Sequence, residues 1–204
     1  MKTIKHCGVL FCISGDTITN VKNRGRRKDI YIPNVFPTGE TVSAVGKGAF
    51  EGQFSKVTLS PGISNISDEA FASADVLEVV WSSGCSTIPV RCFCMSNIQK
   101  ISGIENVDNI CRGAFAHSGI RSLAWPSECR QVPDNCFFYS YLENIYNING
   151  IDEIGERAFA GVMNINKIDL SALGNISIGL AAFEGVPLEK VELPYYFEAT
   201  ERIF

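Results

Sequence analysis

The side chains that most often carry out chemistry in proteins are sparse in this sequence. Its 204 residues include only two histidines, His6 and His117, and no motif of a nucleophile, a phosphate loop or a metalloprotease is present. The Asp and Glu residues are scattered over predicted turns and strand exteriors, and His117 opens a variable spacer, so we expect all of them at the surface. The sequence therefore predicts a protein that is not an enzyme and binds no cofactor.

The eight cysteines are the other reactive side chains. Cys85, Cys92, Cys94 and Cys111 lie close together in the sequence, but they contain no Cys-x-x-Cys pair, which disfavours a metal site. A disulfide such as Cys85–Cys92 is an alternative. We prefer free thiols in the core, because cysteine is a good small hydrophobic residue.

Charge and hydropathy restrict the partners and the compartment. The formal net charge of −4 disfavours a nucleic-acid partner. The strongest basic run, residues 22–28, lies between two apolar segments and is expected to be the solvated tip of a hairpin. No apolar stretch approaches the roughly 18 residues of a membrane span. Asp16 precedes any small-residue cleavage site, so we expect no signal peptide in this chain.

Seven phenylalanines mark an internal repeat. Their successive spacings are 21, 22, 22, 22, 22 and 24 residues, and each follows an Ala or Cys and, five positions before it, a Val or Ile. The seven are Phe50, Phe71, Phe93, Phe115, Phe137, Phe159 and Phe183. A unit this short cannot bury a core alone, so the repeats must stack as a solenoid.

Each repeat contains two segments that could form regular structure. In residues 57–59, 79–81 and 123–125, the first and third residues are large and apolar and are expected to point inward, while the middle residue points outward. This pattern predicts half-buried strands in a parallel sheet. Residues 67–71 and 155–159, around the Ala-Phe pairs, predict a short helical turn on the return side.

The units also alternate with a period of 44 residues. Residues 85–93 match residues 129–137, and the same two units have Gly103 and Asn147 where a large apolar residue is expected. Duplication of a two-unit block is the simpler interpretation, and a ligand-contact pattern with this period is the alternative.

These residues resemble the BspA-type leucine-rich repeats of bacterial surfaces and protozoan parasites. Residues 151–161 reproduce the first half of that motif and residues 188–194 the second. The resemblance implies an α/β solenoid, a right-handed superhelix with a parallel sheet on one face and short helical turns or loops on the return face. We predict one structural domain, with an N-terminal β cap at 1–41, seven repeats at 42–194 and a C-terminal tail or cap at 195–204.

The resemblance implies a non-enzymatic protein-interaction or adhesion module. Its partner would be a host, matrix or surface protein and not a small-molecule substrate, and its location the cell surface or the exterior, with the cytoplasm as the alternative. We predict binding through the exposed sheet, with Tyr146 as the best anchor, and binding on loops or at an end as the alternative. The predicted residues are Lys56, Thr58, Glu78, Val80, Lys100, Ser102, Ala124, Asn144, Tyr146, Lys167, Asp169, Lys190 and Glu192.

A second hypothesis is a structural module that associates with itself. Residues 194–197 and 203–204 are rich in aromatic and apolar side chains. If they leave the last repeat uncovered, its apolar end could stack against another copy and form a homo-oligomer.

Overall fold

The chain winds as a solenoid of stacked coils whose strands pair from one coil to the next. The computed structural model describes residues 1–195 and 202–204. The strands are β1 (Lys2–His6), β2 (Val9–Ser14), β3 (Thr17–Lys22), β4 (Lys28–Ile32), β5 (Ala44–Val45), β6 (Phe50–Glu51), β7 (Gln53–Leu59), β8 (Asn65–Ile66), β9 (Asp75–Val80), β10 (Thr87–Ile88), β11 (Lys100–Ser102), β12 (Asn109–Ile110), β13 (Ser122–Ala124), β14 (Gln131–Val132), β15 (Asn144–Tyr146), β16 (Glu153–Ile154), β17 (Ile168–Asp169), β18 (Ser177–Ile178) and β19 (Val191–Glu192). Within these described ranges, the helical segments are two 3-10 turns, Ile148–Gly150 and Leu188–Lys190.

One side of the solenoid is the predicted parallel sheet. Its six strands lie in the order β4-β7-β9-β11-β13-β15, and β17 and β19 form a separate parallel pair. Val57 pairs with Val79 and Val79 with Ile101, and Leu123 pairs with Ile145, so the apolar residues of successive coils lie side by side and are buried. The parallel stacking is confirmed, while the handedness of the superhelix stays a prediction.

A second ladder consists of two-residue strands. It contains the Val or Ile that stands five positions before each of the seven phenylalanines that mark the repeat, which we call the register phenylalanines. All seven of these Val and Ile side chains are buried. They pair in parallel within β5-β8, β10-β12 and β14-β16-β18. This column of β-branched residues therefore forms a second wall of the core.

The return side around the phenylalanines is not helical, so the predicted helical turns and the α/β class are wrong. In the coil of Phe71, the N–H groups of Glu69, Phe71 and Ser73 donate to carbonyls of the next coil, whereas those of Ala70 and Ala72 bond to carbonyls three residues back. In a helix, N–H groups beyond the first turn would all bond within their own segment. Here alternate N–H groups join neighbouring coils instead.

Left-handed backbone produces this alternation. Glu69 and Ser73, two residues before and two after Phe71, have φ values of 58° and 57°. An L-residue in this conformation interrupts a right-handed helix. The other coils repeat the two left-handed positions at Gly48, Gly52, Arg91, Met95, Gly113, His117, Asn135, Tyr139, Arg157, Gly161, Ala181 and Gly185.

The seven register phenylalanines form a continuous stack through the core. Neighbouring ring centroids lie 4.2 to 5.6 Å apart, with interplanar angles of 4° to 26°. The Ala or Cys before each phenylalanine is fully buried, which lets adjacent coils approach closely. Burying one such ring stabilises the fold by about 1.5–3 kcal/mol.

The N-terminal strands cover the first coil. β1, β2 and β3 are antiparallel, and β3 then pairs in parallel with β5 and so continues the second ladder. Because β4 belongs to the main sheet, the basic residues between β3 and β4 are not a hairpin tip, contrary to the prediction. They form a corner of the coil, where buried Asn23 donates to the carbonyls of Arg26 (3.0 Å) and Gln53 (2.7 Å), and Arg27 pairs with Asp75 (2.6 Å).

The last residues of the chain contact the last repeat. The Phe183 N–H donates to the Ile203 carbonyl at 2.8 Å, and Ile203 is buried. The Phe204 ring lies 5.8 Å from Phe183 and stays 36% exposed, so it covers that end in part. Tyr196 and Phe197, which the self-association hypothesis includes, lie outside the described residues.

No helix in the described ranges is long and apolar enough to cross a membrane.

Candidate functional site

The strand register places nine of the thirteen predicted binding residues in two parallel rows on the outer surface of the main sheet. Thr58 pairs with Val80 and Val80 with Ser102, while Ala124 pairs with Tyr146. The Lys100–Ser122 pair carries the same register from β11 to β13. We call the line that contains Thr58, Val80 and Tyr146 the trough row. The residues two positions earlier in each strand, such as Lys56 and Lys100, form a second line, which we call the charged row.

Strand β4 extends both rows by one coil, which sequence analysis missed. Tyr31 pairs with Thr58, and Asp29 pairs with Lys56. The inward and outward alternation of Ile30, Tyr31 and Ile32 is the signal for this strand, whereas the predicted boundaries place the segment in the cap. The trough row is thus Tyr31, Thr58, Val80, Ser102, Ala124 and Tyr146, and the charged row is Asp29, Lys56, Glu78, Lys100, Ser122 and Asn144.

Tyrosines stand at both ends of the trough row. Tyr31 is 51% exposed and Tyr146 is 53% exposed. Because they are separated by five strand spacings of about 4.8 Å, their strands lie about 24 Å apart. The residues between them, Thr58, Val80, Ser102 and Ala124, have short side chains, so the two aromatic rings flank a row of small residues. Exposed tyrosines contribute apolar area and a hydrogen-bonding hydroxyl to an interface.

The charged row largely neutralises itself. The Glu78 carboxylate lies 3.2 Å from the Lys56 Nζ and 3.8 Å from the Lys100 Nζ. One carboxylate is therefore shared by two ammonium groups on the neighbouring strands. These charges can orient a partner that carries both signs of charge, but they do not form a strongly basic or acidic surface.

The main sheet is interrupted after β15. Asn147 has a φ of 62°, the chain then turns through Ile148–Gly150, and β17 joins β19 in place of β15. The Asn166 Nδ2 still donates to the Asn144 Oδ1 at 2.9 Å across the interruption. A cavity of about 270 Å³ opens there beside Tyr146.

The predicted residues beyond the interruption form a separate group. Lys167 lies 3.1 Å from Asp169 and 2.9 Å from Glu192. Hydrogen bonds from Ser171, followed by Lys167, lower the pKa of Asp169 to about 2, and the bond to Glu192 raises the pKa of Lys167. Lys190 lies in the 3-10 turn Leu188–Lys190 and not in a strand. These four residues do not continue the two rows.

The cysteines are separate from this face. Cys92 and Cys136 fill the small-residue column beside the phenylalanine stack, where burial raises the pKa of both thiols well above the ordinary value. All eight cysteines are unpaired thiols in the structure. Among the described residues, no group of three or more His, Cys, Asp and Glu side chains has the geometry of a metal site.

The repeat pattern and the stacked coils agree with one protein family. The BspA type leucine rich repeat region matches residues 30–143 and 130–203 with six copies. The chain therefore belongs to the BspA-type leucine-rich repeat family. Comparison with the curated proteins finds no match.

A solved structure supports the same fold. A leucine rich cell surface protein from Faecalibacterium prausnitzii superposes with a TM-score of 0.63 at 21% identity, over 90% of this chain and 52% of that one. A leucine-rich repeat protein from Bacteroides ovatus (TM-score 0.41, 15% identity, 91% and 65% coverage) and the pneumococcal vaccine antigen PcpA (TM-score 0.42, 13% identity, 91% and 80% coverage) match less closely. The chain spans about half the length of the Faecalibacterium protein.

Proposed function

We propose that this chain is a non-enzymatic protein-interaction or adhesion module that binds a macromolecular partner through the exposed main sheet. The trough row carries the proposal, because it presents small side chains between two half-exposed tyrosines, Tyr31 and Tyr146. The Faecalibacterium protein is described as a leucine rich cell surface protein. That description supports a location at the cell surface or outside the cell.

The chemistry of the rows favours a protein partner. Tyrosine is enriched among the residues that dominate binding energy at protein interfaces. The shared Glu78 carboxylate lowers the positive charge of Lys56 and Lys100, whereas a nucleic-acid surface requires a dense basic patch. A partner segment that carries both signs of charge and several apolar groups would complement both rows. A host, matrix or other surface protein fits this description.

A partner screen with matched variants tests the proposal. The native chain and the double variant Tyr31→Ala/Tyr146→Ala are immobilised and exposed to cell-surface and matrix proteins. Titration of each captured protein then gives its Kd. We expect the double variant to bind at least about 30-fold more weakly, which is typical of losing an interface anchor.

Tyr139→Ala is the matched control, because Tyr139 is 56% exposed but lies on the return side. It should bind like the native chain. Equal binding by the double variant, or a loss with Tyr139→Ala alone, would reject the sheet as the binding face.

Self-association through the C-terminal end is the second candidate. Leu188 is 66% exposed and Phe204 is 36% exposed at that end of the stack. Light scattering over a range of concentrations should show a mass that rises with concentration, and Leu188→Glu/Phe204→Glu should abolish the rise. A constant monomer mass for the native chain would reject this candidate.

A further inference from the structure

A cavity of about 270 Å³ lies on the return side, away from the proposed binding face. Its floor is the coil of Phe115, which has Gly113 and Ala116 at its outward positions. The coils on either side have larger residues at the equivalent positions. Arg91 and Asn135 flank Gly113, and Cys94 and Phe138 flank Ala116. The cavity therefore arises because one coil with small residues lies between two coils with larger ones.

Two arginines, Arg91 and Arg112, line this cavity. Neither Arg91 nor Arg112 makes an ion pair or a side-chain hydrogen bond with any described residue. The Arg91 stem lies across Gly113, where an added Cβ would come within 3.3 Å of its Cγ. His117 also lines the cavity. An unpaired guanidinium group presents a planar set of N–H donors that matches the oxygens of a carboxylate, sulfate or phosphate.

Three carboxylates on the coils near the cavity, those of Asp68, Glu69 and Asp134, already have partners. Asp68 accepts a hydrogen bond from the Val90 N–H at 3.2 Å, and Asp134 accepts one from the Glu156 N–H at 2.8 Å. Glu69 pairs with Lys47 at 2.8 Å, and this bond, with a smaller contribution from Arg91, lowers the pKa of Glu69. None of these three carboxylates forms a hydrogen bond or ion pair with Arg91 or Arg112, although Glu69 attracts Arg91 through space.

One wall of the cavity is aromatic. The His117 ring meets Phe138 edge to face at 5.3 Å and stacks on Tyr139 at 5.8 Å. Met95, on the opposite coil, also lines the cavity and is 63% exposed. A ligand held by the arginines would place its body between a thioether and an aromatic ring, both of which favour contact with a flat apolar group.

We propose that this cavity binds a small aromatic oxyanion, an aryl phosphate or aryl sulfate ester. Arg91 and Arg112 hold the anionic group by charge-assisted hydrogen bonds, and the ring packs between Phe138 and Met95. The volume suits one ring with one anionic group and is small for a larger ligand. This site is independent of the sheet, so the failure of either proposal leaves the other unaffected.

Calorimetric titration of the full chain with four probes tests the site. The probes are phenyl phosphate, phenyl sulfate, inorganic phosphate and phenol. We expect one or both esters to bind, inorganic phosphate to bind more weakly and phenol not to bind. The two esters distinguish phosphate from sulfate as the source of the anion. Absence of binding by both esters at about 1 mM, or equal binding of phenol, would overturn the proposal.

Substitutions then show which side chains bind the ester. Arg91→Gln and Arg112→Gln should each weaken ester binding at least about tenfold, which is the effect of losing one charge-assisted bond. Arg130→Gln removes the same charge from an exposed arginine that pairs with Asp152, and binding should be unchanged. An equal loss with Arg130→Gln would show that the ester responds only to net charge and would overturn the site. Phe138→Ala should weaken the esters but not inorganic phosphate, and equal weakening of both would overturn the role of the ring.

Discussion

The indole N–H groups of Trp81 and Trp125, 44 residues apart, make the same hydrogen bond. Each donates to the carbonyl of the cysteine four residues later, at 3.1 Å to Cys85 and 2.8 Å to Cys129. Both indoles are 2% exposed. They also pack against the phenylalanine stack, with Trp81 5.8 Å from Phe93 and Trp125 6.1 Å from Phe137.

This pair supplies a packing reason for the two-repeat period. In the coil after each tryptophan, the equivalent position is left-handed, with φ of 76° at Gly103 and 62° at Asn147. The backbone N–H of Trp81 donates to the Ser102 carbonyl and the backbone N–H of Trp125 to the Tyr146 carbonyl, both at 2.8 Å; Ser102 and Tyr146 directly precede Gly103 and Asn147. A large residue in one coil therefore alternates with a left-handed residue in the next coil, where the following Ile104 or Ile148 is buried instead. This packing accounts for the two-repeat period without a ligand, while duplication of a two-unit block and a ligand-contact pattern both stay predictions.

Replacing Trp125 by Phe should lower the free energy of unfolding by about 2–4 kcal/mol. The change removes the donor to the buried Cys129 carbonyl and leaves a gap where the larger indole packed. Urea unfolding followed by circular dichroism measures the loss. Tyr146→Phe, on an exposed ring, is the control and should be neutral. A change within about 0.5 kcal/mol for Trp125→Phe would contradict this account.

Replacing Phe115 by Ala should destabilise the chain by about 3–5 kcal/mol. Phe115 is fully buried between Phe93 and Phe137, 5.4 and 5.5 Å from their rings, so the cavity interrupts the stack in the middle of the solenoid. Repeat proteins depend on contacts between neighbouring units, and the unfolding transition should also become less cooperative. Phe204→Ala, at the exposed end, should cost only about 1 kcal/mol. Similar losses for the two variants would argue against a continuous stack.

Replacing Ala181 by Gly should stabilise the chain, although glycine usually weakens regular structure. Ala181 has a φ of 54°, a conformation that costs an L-residue roughly 1–2 kcal/mol and glycine almost nothing. After the larger backbone entropy of glycine is subtracted, we expect a gain of about 0.5–1 kcal/mol in thermal or urea unfolding. Ala158→Gly, at a buried position outside the left-handed set, should instead lose about 1 kcal/mol. A loss in both variants would contradict the assignment of the left-handed positions.

The stability of the chain should fall above about pH 8.5, partly because of its buried thiols. Burial raises the pKa of Cys129 to about 11 and the pKa values of Cys92 and Cys136 well above the ordinary value. In the unfolded chain these thiols titrate near 8.5. Above that pH the unfolded state loses protons that the folded state retains, so the free energy of unfolding decreases as the pH rises towards the folded pKa values.

The variant Cys92→Ala/Cys136→Ala isolates this effect. Alanine occupies the same column at Ala70, Ala114 and Ala158, so the substitutions should fold normally. Urea unfolding under reducing conditions, measured from about pH 7 to about pH 10, should show a shallower decline for the variant than for the native chain. Parallel declines would exclude the two thiols as the cause.

Much of the architecture followed from patterns that each unit repeats. A phenylalanine that must be buried, with a small residue before it and a β-branched residue five positions earlier, predicted the stacked coils and the paired apolar columns. The alternation of residues 57–59 and 79–81 predicted the register of both outer rows. Tyr31 joins those rows only because β4 pairs with β7, and its segment had been read as part of the cap.

The backbone conformation of the return side could not be predicted from the sequence. Segments such as residues 67–71, with Ser, Asp, Glu and Ala, have the local character of a helical turn. The structure gives Glu69 and Ser73 left-handed backbone, because their N–H groups can then bond to the next coil.

The sequence by itself determined the repeat, the apolar columns and the parallel stacking, since these depend on residue types at fixed spacing within one unit. Tertiary structure alone decided the left-handed return turns, the interruption after β15 and the cavity of Arg91 and Arg112. Each of these depends on how residues about 22 positions apart fit against one another. Bonds and gaps between coils exist only when the coils are stacked, and the residue pattern of one coil does not encode them.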